Sequence, residues 1–233
     1  WREVRARMTE LLIEERHRSA VEPHLVPRAG VTLHLPFEVS DYVDYYASED
    51  HASNLGRMFR PGQAALTPNW KWMPIGYHGR AGTVVVSGTP VVRPSGQRKA
   101  PSDPAPSFGP SRRLDIEAEL GYVVGPGTRL SEPVPLDRAP EHLFGVVLVN
   151  DWSARDIQAW EYVPLGPYLG KSFATSVSPW VVPFDALAEA RIPAPVREPE
   201  PLRYLRGEAD RGIDVALDVR LNGETVSRPP YGR

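Results

Sequence analysis

A strict alternation of apolar and polar residues over positions 113–124 restricts the fold of this chain more than any other pattern. One face carries Leu114, Ile116, Ala118, Leu120 and Tyr122, and the other carries Asp115, Glu117, Glu119 and Gly121. A repeat of two residues is the side-chain period of a β-strand. Positions 144–149 form an unbroken apolar run, which is typical of a strand buried on both faces, and the run stops at Asn150 and Asp151. The sequence therefore predicts a sheet in which a carboxylate ends a buried strand.

The remaining patterns predict short helices and further strands. Apolar residues recur at three- and four-residue steps over positions 1–18, which predicts an amphipathic helix. A second helix is expected to begin at Ser48, with His51 near its start, and a third to lie within 152–161. Strands are expected over 31–37, within 83–92 and over 213–221, the last followed by a turn at Asn222 and Gly223. The 26 Pro residues predict many loops, so the fold class that we expect is β-rich α+β.

Composition excludes several kinds of function. The chain contains no Cys, which rules out disulfides, thiolate metal sites and a cysteine nucleophile, and which suits a reducing, cytoplasmic setting. Its formal net charge of -2 gives no sign of a nucleic-acid partner or of an anionic membrane surface. The longest apolar run, at positions 143–149, is far shorter than the roughly 18 residues of a membrane span. We therefore expect no nucleic acid and no membrane, but a partner that is a small molecule or a protein.

Four carboxylates are candidate metal ligands. Glu117 and Glu119 share one side of the predicted strand, with Cα atoms about 7 Å apart. Asp151 ends the buried run, and Asp44 lies in an aromatic loop, so each would be costly to bury without a partner. Carboxylates without thiolates favour Mg²⁺ or Ca²⁺ over Zn²⁺. The alternative is that Glu117 and Glu119 form a solvated polar face.

His51, with an ordinary pKa of about 6.5, could accept a proton from water near a metal held at Asp44, although a lone His is more often a structural residue. Candidate anion-binding and hydrogen-bonding groups are Arg60, Arg155, Lys171, Gln158, Tyr46, Tyr77 and Tyr162. For the cations the alternative is an ordinary surface position, and for the tyrosines it is a half-buried core position. The chain contains no nucleophile elbow, phosphate-binding loop, zinc-protease motif or dinucleotide fingerprint.

Four long segments resemble the fumarylacetoacetate hydrolase family. They are DYVDYYASEDHASNLGRMFR at 41–60, NWKWMPIGYHGRAGTVVVSGTPVVRP at 69–94, SRRLDIEAELGYVVG at 111–125 and VNDWSARDIQAWEYVPLGPYLGKSFATSVSPWVVP at 149–183. The first two match the branch that cleaves fumarylacetoacetate better than they match acylpyruvate hydrolases, oxaloacetate decarboxylases or hydratases. The resemblance implies the mixed β-sandwich roll of this family's C-terminal domain. It also implies metal-dependent hydrolysis of 4-fumarylacetoacetate to fumarate and acetoacetate, in tyrosine and phenylalanine catabolism, by a cytoplasmic homodimer.

The resemblance also implies residue roles. His51 would be the proton acceptor, and Mg²⁺ or Ca²⁺ would be bound by Asp44, Glu117, Glu119 and Asp151. Lys171 and Thr175 would belong to the metal-binding segment, although an ammonium has no lone pair for a metal. Substrate contacts would be Tyr46, Arg60, Tyr77, Gln158 and Tyr162.

The chain departs from the family pattern at its ends. Residues 1–39 are expected to be the tail of a truncated N-terminal domain with its linker, and residues 40–233 a C-terminally incomplete catalytic domain. Family elements that carry a substrate-binding Thr and an acidic partner for the base have no match after Ser227, and Ala174 stands where the family has Gly. Two alternatives follow: a related superfamily enzyme such as an acylpyruvate hydrolase or oxaloacetate decarboxylase, or a non-catalytic metal-binding remnant.

Overall fold

A computed structural model describes residues 1–207 and 212–231, which divide into two units at His34 and Leu35. The first unit is helical, with α1 at Arg2–Ile13 and α2 at Arg18–Val21, and 3₁₀ turns at Glu15–His17, Glu22–His24 and Arg28–Gly30. The predicted helix over 1–18 is therefore shorter than expected. It ends where Glu14 becomes extended and where Arg16 and His17 turn back to pair with Glu10, at 2.8 and 3.1 Å.

The second unit contains the other helices and all the strands of the described residues. The helices are α3 at Glu49–Phe59, α4 at Ala139–His142, α5 at Arg155–Glu161 and α6 at Leu169–Ser172, with 3₁₀ turns at Ala81–Thr83, Leu136–Arg138, Phe184–Ala190 and Arg203–Leu205. The strands are β1 at Asp44–Tyr45, β2 at Gly76–Tyr77, β3 at Val84–Val86, β4 at Ser95–Arg98, β5 at Ser107–Pro110, β6 at Leu114–Asp115, β7 at Ala118–Val124, β8 at Leu143–Asp151, β9 at Ser153–Ala154, β10 at Thr175–Val177, β11 at Val182–Pro183, β12 at Arg191–Ile192, β13 at Gly212–Ile213, β14 at Val215–Ala216, β15 at Val219–Leu221, β16 at Glu224–Ser227 and β17 at Pro230–Tyr231. This inventory confirms the predicted β-rich α+β class.

β8 is the central strand of a five-stranded mixed sheet. β7 pairs with it along most of its length, while β10 and β11 pair with different stretches of it, all three antiparallel. β3 completes the sheet as a parallel neighbour of β10. Val147, Val149 and Val177 form the buried centre of the hydrophobic core, against which Val84 and Val123 pack. The predicted buried strand over 144–149 is confirmed, apart from Leu148, which is exposed.

The alternating segment over 113–124 forms two strands, β6 and β7, rather than one. Its more buried face is not the apolar one: Val123 packs on the core, and a side chain added at Gly121 would come 2.9 Å from Val149. Tyr122 and Val124, on the opposite face, are exposed. The face that carries Glu119 is therefore turned inward, so the solvated-face alternative does not hold for this carboxylate.

Other sequence predictions have mixed outcomes. Positions 31–37 do not form the predicted strand, since they pair with no ladder, although Leu35 and Phe37 pack against the core. Within 83–92 only β3 is a strand, because Gly88 turns the chain with φ of 95°. The 213–221 segment is divided among short strands, and the predicted turn that follows is confirmed by positive φ at Asn222 and Gly223. The 208–211 gap and positions 232–233 lie outside the described residues.

Two further elements are confirmed near their predicted positions. α3 begins after Ser48, as the capping pattern predicts, and α5 occupies most of 152–161. Within the described part of the chain, no helix has both the length and the apolar character needed to cross a membrane.

Candidate active site

The predicted site residues come from separate parts of the second unit. β1 carries Asp44, β7 carries Glu119, the end of β8 carries Asp151, and α6 carries Lys171, while Glu117 lies in the interruption between β6 and β7. The pairing of β8 with β7 and β10 brings the starts of those two strands to the end of β8. One end of the central sheet therefore gathers the acidic side chains.

Three carboxylates converge at this end. Glu117, Glu119 and Asp151 each offer one oxygen, and these oxygens all lie within 4.8 Å of one another. Asp151 is 0% exposed, and its Oδ1 has no hydrogen-bond partner among the described atoms. An unpaired buried carboxylate oxygen is costly unless a cation completes its surroundings. The donor set and the orphaned oxygen therefore fit a divalent metal ion.

Lys171 and Thr175 lie against the same carboxylates. The Lys171 side chain is 1% exposed, and its Nζ lies 2.7 Å from Glu117 Oε2 and 2.6 Å from Asp151 Oδ2. Thr175 pairs with Asp151 in the sheet, and its buried Oγ1 has no hydrogen-bond partner in the described structure. Lys171 therefore neutralises the cluster as a donor, whereas Thr175 Oγ1 is a second orphaned oxygen. The proposed membership of both in a metal-binding segment stays a prediction.

Asp44 is joined to the cluster through an arginine that the sequence reasoning missed. Arg80 Nη2 donates to Asp44 Oδ2 at 2.8 Å and to Asp151 Oδ2 at 2.9 Å. Asp44 is not a member of the three-carboxylate group, so its predicted role as a ligand stays a prediction. The one sequence signal for Arg80 is weak: it lies four residues before the half-buried β-branched strand β3, next to which an unpaired charge is not expected.

Glu117 is the most fully paired of the three carboxylates. Arg155 Nη2 lies 2.7 Å from Glu117 Oε1, and Ser153 Oγ donates to that same oxygen at 3.1 Å. Lys171 occupies the other oxygen. Arg155 also pairs with Asp115 at 2.9 Å. Sequence reasoning named Arg155 as an anion binder only, and it found no role for Ser153, because neither contact follows from local spacing.

Differences in pKa reflect these unequal surroundings. Burial raises the pKa of Glu119 to about 8, and the neighbouring negative charges act in the same direction. Burial likewise raises the pKa of Asp151 to about 6, despite the cations that touch it. Burial opposes ionisation of Glu117 too, but Lys171 and Arg155 hold the pKa of Glu117 at about 2. Without a metal, Glu119 therefore keeps a proton at pH 7, and a bound cation would favour its release.

His51, the predicted proton acceptor, lies in the first turn of α3. Ser48 Oγ accepts a hydrogen bond from the His51 backbone N–H at 3.3 Å. The ring packs edge-on against Tyr46, with ring centres 5.6 Å apart. Burial lowers the pKa of His51, while the charge of Glu117 acts in the opposite direction. The imidazole is therefore neutral at pH 7, which is the form that accepts a proton.

Two of the five predicted substrate contacts adjoin residues of the cluster. The guanidinium of Arg80 lies 5.5 Å from the ring centre of Tyr77. Burial and the charge of Asp44 raise the pKa of Tyr77, so its hydroxyl remains protonated and can donate. Gln158 accepts a hydrogen bond from Arg155 Nη1 at 3.1 Å. Tyr77 and Gln158 are therefore linked to the carboxylates through Arg80 and Arg155. Their roles toward a substrate stay predictions.

The other three predicted contacts have partners of their own. Tyr46 donates from its hydroxyl to Ala52 O at 3.1 Å, and Arg60 Nη2 donates to Ala65 O at 2.8 Å. The ring of Tyr162 lies 6.0 Å from the ring of the last residue of α3. Tyr46 and Tyr162 thus contact residues of α3, on which His51 lies, and Arg60 directly follows the last residue of α3. Their roles toward a substrate stay predictions.

The fold and the cluster together define a mixed-sheet protein with a candidate carboxylate metal centre. Residues 41–233 match the family model "Fumarylacetoacetate (FAA) hydrolase C-terminal", and the chain belongs to this family. The fold that the sequence resemblance implied is thereby confirmed.

Curated relatives give a closer comparison. The chain is 50% identical over 233 residues to fumarylacetoacetase of Homo sapiens and 51% identical over 234 residues to fumarylacetoacetase of Caenorhabditis elegans. The match to the Oryza sativa subsp. japonica fumarylacetoacetase is 46% over 234 residues. These alignments cover 98%, 97% and 98% of this chain but 56%, 56% and 54% of the relatives. The chain thus spans about half the length of the curated relatives that it matches.

Two solved structures share the fold at low sequence identity. A putative HpcE protein from Mycobacterium smegmatis aligns with a TM-score of 0.55 at 22% identity, over 92% of this chain and 62% of its own. A 5-carboxymethyl-2-hydroxymuconate delta-isomerase from the same organism aligns with a TM-score of 0.50 at 20% identity, over 88% of this chain and 61% of its own. These likenesses bear on the fold alone.

Proposed function

We propose that this chain carries the catalytic centre of a hydrolase that cleaves the carbon–carbon bond of 4-fumarylacetoacetate to give fumarate and acetoacetate. The observation that carries the proposal is the trio of Glu117, Glu119 and Asp151, of which Asp151 is fully buried and has one orphaned oxygen, together with a neutral His51 whose pKa responds to the charge of Glu117. Identities of about 50% to proteins named fumarylacetoacetase support the choice of substrate. The proposal includes the setting implied by the sequence resemblance, which is a cytoplasmic homodimer acting in tyrosine and phenylalanine catabolism.

The metal in this proposal is Mg²⁺ or Ca²⁺. Glu117, Glu119 and Asp151 would hold it, with Asp44 as the fourth carboxylate, because oxygen ligands suit hard cations. When bound, the cation supplies a Lewis acid that polarises a carbonyl group.

The side chains account for the proton transfers of the reaction. Neutral His51 accepts a proton from water, and the water oxygen forms a bond to a carbonyl carbon of the diketone. The carbon–carbon bond then breaks, its electron pair leaves with acetoacetate as the enolate, and the proton held by His51 returns to that carbon. Lys171 and Gln158 stabilise the negative oxygen that develops, while Arg60 and the tyrosines bind the substrate's carboxylate and other oxygens.

A substrate panel tests this function. Purified protein is assayed with fumarylacetoacetate, an acylpyruvate and oxaloacetate, each with Mg²⁺ or with EDTA, and loss of the enolised diketone's absorbance is the readout. We expect Mg²⁺-dependent loss of fumarylacetoacetate and little turnover of the other two. Decay of oxaloacetate without cleavage of fumarylacetoacetate would overturn the substrate assignment. Metal binding without turnover of any substrate would identify a non-catalytic remnant.

A further inference from the structure

Arg80 is a buried cation that none of the proposed catalytic steps uses. Its side chain is 1% exposed. The guanidinium carbon lies 4.9 Å from the ring centre of Tyr42 and 5.5 Å from that of Tyr77, so two aromatic rings enclose it. A buried charge is costly unless it is paired with good geometry. The role of Arg80 can therefore be inferred from the groups with which it pairs.

One nitrogen of Arg80 joins two carboxylates from distant parts of the chain. Nη2 donates to Asp44 Oδ2 at 2.8 Å and to Asp151 Oδ2 at 2.9 Å. Lys171 Nζ donates to the same Oδ2 of Asp151, at 2.6 Å. All of the cationic contacts of Asp151 thus fall on one oxygen, while Oδ1 has no partner in the described structure. Such one-sided pairing fixes the rotation of the carboxylate and leaves its other oxygen available.

The backbone around Arg80 is closely fitted to this arrangement. A side chain at Gly79 would overlap the backbone oxygen of Tyr42. Tyr42 is also a polar contact of Arg80, since its hydroxyl accepts from Nη2 at 3.2 Å. Because the chain approaches so closely only with glycine at position 79, the guanidinium is aimed at the two aspartates by the backbone as well as by its charge.

We propose that Arg80 is a positioning residue of the metal centre, which holds Asp44 and Asp151 together through their Oδ2 atoms and so leaves Asp151 Oδ1 for a divalent cation. This inference rests on the metal dependence in the proposed function. The change in metal affinity that it predicts for loss of Arg80 is opposite in sign to that of a simple charge effect. A cation beside the ligands repels a metal, so its removal should strengthen metal binding, whereas removal of a positioning residue should weaken it.

Metal titration separates the two signs. Mn²⁺ binding to purified protein is measured by calorimetry after EDTA has been removed. The proteins compared are the parent, Arg80→Met, Arg80→Lys and the control Arg138→Met. Arg138 is a suitable control because, among the described residues, its guanidinium pairs only with the exposed Glu141. We expect the Kd to rise at least tenfold in Arg80→Met and by a smaller factor in Arg80→Lys, with no change in the control. Thermal unfolding confirms that each variant is folded. An unchanged or lower Kd in folded Arg80→Met overturns the proposal.

A second measurement does not depend on a variant. A crystal structure of the parent protein with Mn²⁺, located by anomalous scattering, should show Arg80 Nη2 still within hydrogen-bond distance of both aspartates and the metal on Asp151 Oδ1. Displacement of Arg80 from either aspartate by the metal overturns the proposal. If the parent binds Mn²⁺ but does not cleave fumarylacetoacetate, the proposed function fails while the role of Arg80 is still decided by these two experiments. Absence of Mn²⁺ binding to the parent overturns both.

Discussion

At the scale of single residues, the site is unevenly charged. Asp151 has two cations on Oδ2 and none on Oδ1, whereas Glu117 has cationic partners on both of its oxygens. Burial and neighbouring negative charges raise the pKa of Glu119 to about 8. The cluster therefore has more negative charge than it can bury without either a proton or a metal ion.

Stability of the metal-free protein should fall as the pH rises through the pKa of Glu119. Its pKa is raised from 4.5 to about 8 in the folded protein, so its contribution is fully present below 4.5 and is lost as pH passes 8. Thermal unfolding in EDTA should show a falling Tm between about pH 7 and pH 8.5, above the pKa of Asp151 at about 6. Saturating Mg²⁺ should remove the fall because the metal replaces the proton. The Glu119→Gln variant should show no such fall in Tm, whereas the control Glu132→Gln, at an exposed site, should show the same fall as the parent. A flat Tm profile for the parent in EDTA contradicts the account.

His51→Asn should separate metal binding from turnover. Because burial lowers the pKa of His51, the parent's kcat/KM should fall only when the pH drops through a value below 6.5, as the base becomes protonated. The variant should bind Mn²⁺ with parental affinity but lose about a hundredfold or more in kcat, the usual contribution of a general base. The exposed-site control His24→Asn should behave as the parent. Near-parental kcat in metal-loaded His51→Asn would show that another group accepts the proton.

At the scale of secondary-structure elements, α5 and α6 are joined by a carboxylate. Glu161, at the end of α5, accepts hydrogen bonds from the backbone N–H groups of Tyr168, Leu169 and Gly170, at 2.8, 3.1 and 2.6 Å. Lys171 follows directly in the chain and carries the ammonium that touches the cluster. A side chain at Gly170 would come within 2.9 Å of Gln158, so α5 and α6 are also in close backbone contact. Glu161 thus helps to place Lys171.

Glu161→Ala should destabilise this connection measurably. Three charge-assisted hydrogen bonds are lost at once, and we expect the free energy of unfolding to fall by about 2 kcal/mol or more. Urea unfolding measures the loss, and Glu141→Ala, which removes an exposed ion pair with Arg138, is the matched control. Glu161→Gln should recover part of the stability, because its amide oxygen still accepts hydrogen bonds. Equal stability of Glu161→Ala and the control would show that the three contacts contribute nothing.

At the scale of the whole molecule, local sequence patterns predict some features of the structure, whereas others depend on pairing between distant parts of the chain. The β-rich class, the strand that ends at Asp151 and the capped start of α3 could be predicted, because period, apolar runs and capping act over a few residues. The prediction of a strand over 31–37 was wrong, because a strand needs a partner strand, which the spacing of apolar residues does not reveal. Arg80 was missed for a similar reason: its pairing with Asp44 and Asp151 appears only when the chain is folded.

The roles assigned to the site residues relied on more than local sequence patterns. Spacing and burial arguments alone selected Asp44, His51, Glu117, Glu119 and Asp151 as candidates, and the structure brings Glu117, Glu119 and Asp151 together. Residue type had already made the tyrosines and Arg60 candidate binding groups, and the family resemblance gave them the role of substrate contacts. In the structure Gln158 bonds to Arg155 beside the cluster, whereas Tyr46 bonds to α3. The expected domain limits at 39 and 40 remain a prediction, beside the division at His34 and Leu35 and the family match over 41–233.

The central claim is that the carboxylates of Glu117, Glu119 and Asp151 bind one divalent cation. Calorimetric titration of EDTA-stripped protein with Mg²⁺ tests it most directly. The account predicts one Mg²⁺ per chain in the parent and in the exposed-site control Asp137→Asn, and loss of that site in Asp151→Asn, which removes the charge beside the orphaned Oδ1. Absence of binding to the parent, or Asp151→Asn binding as tightly as the parent, would contradict it.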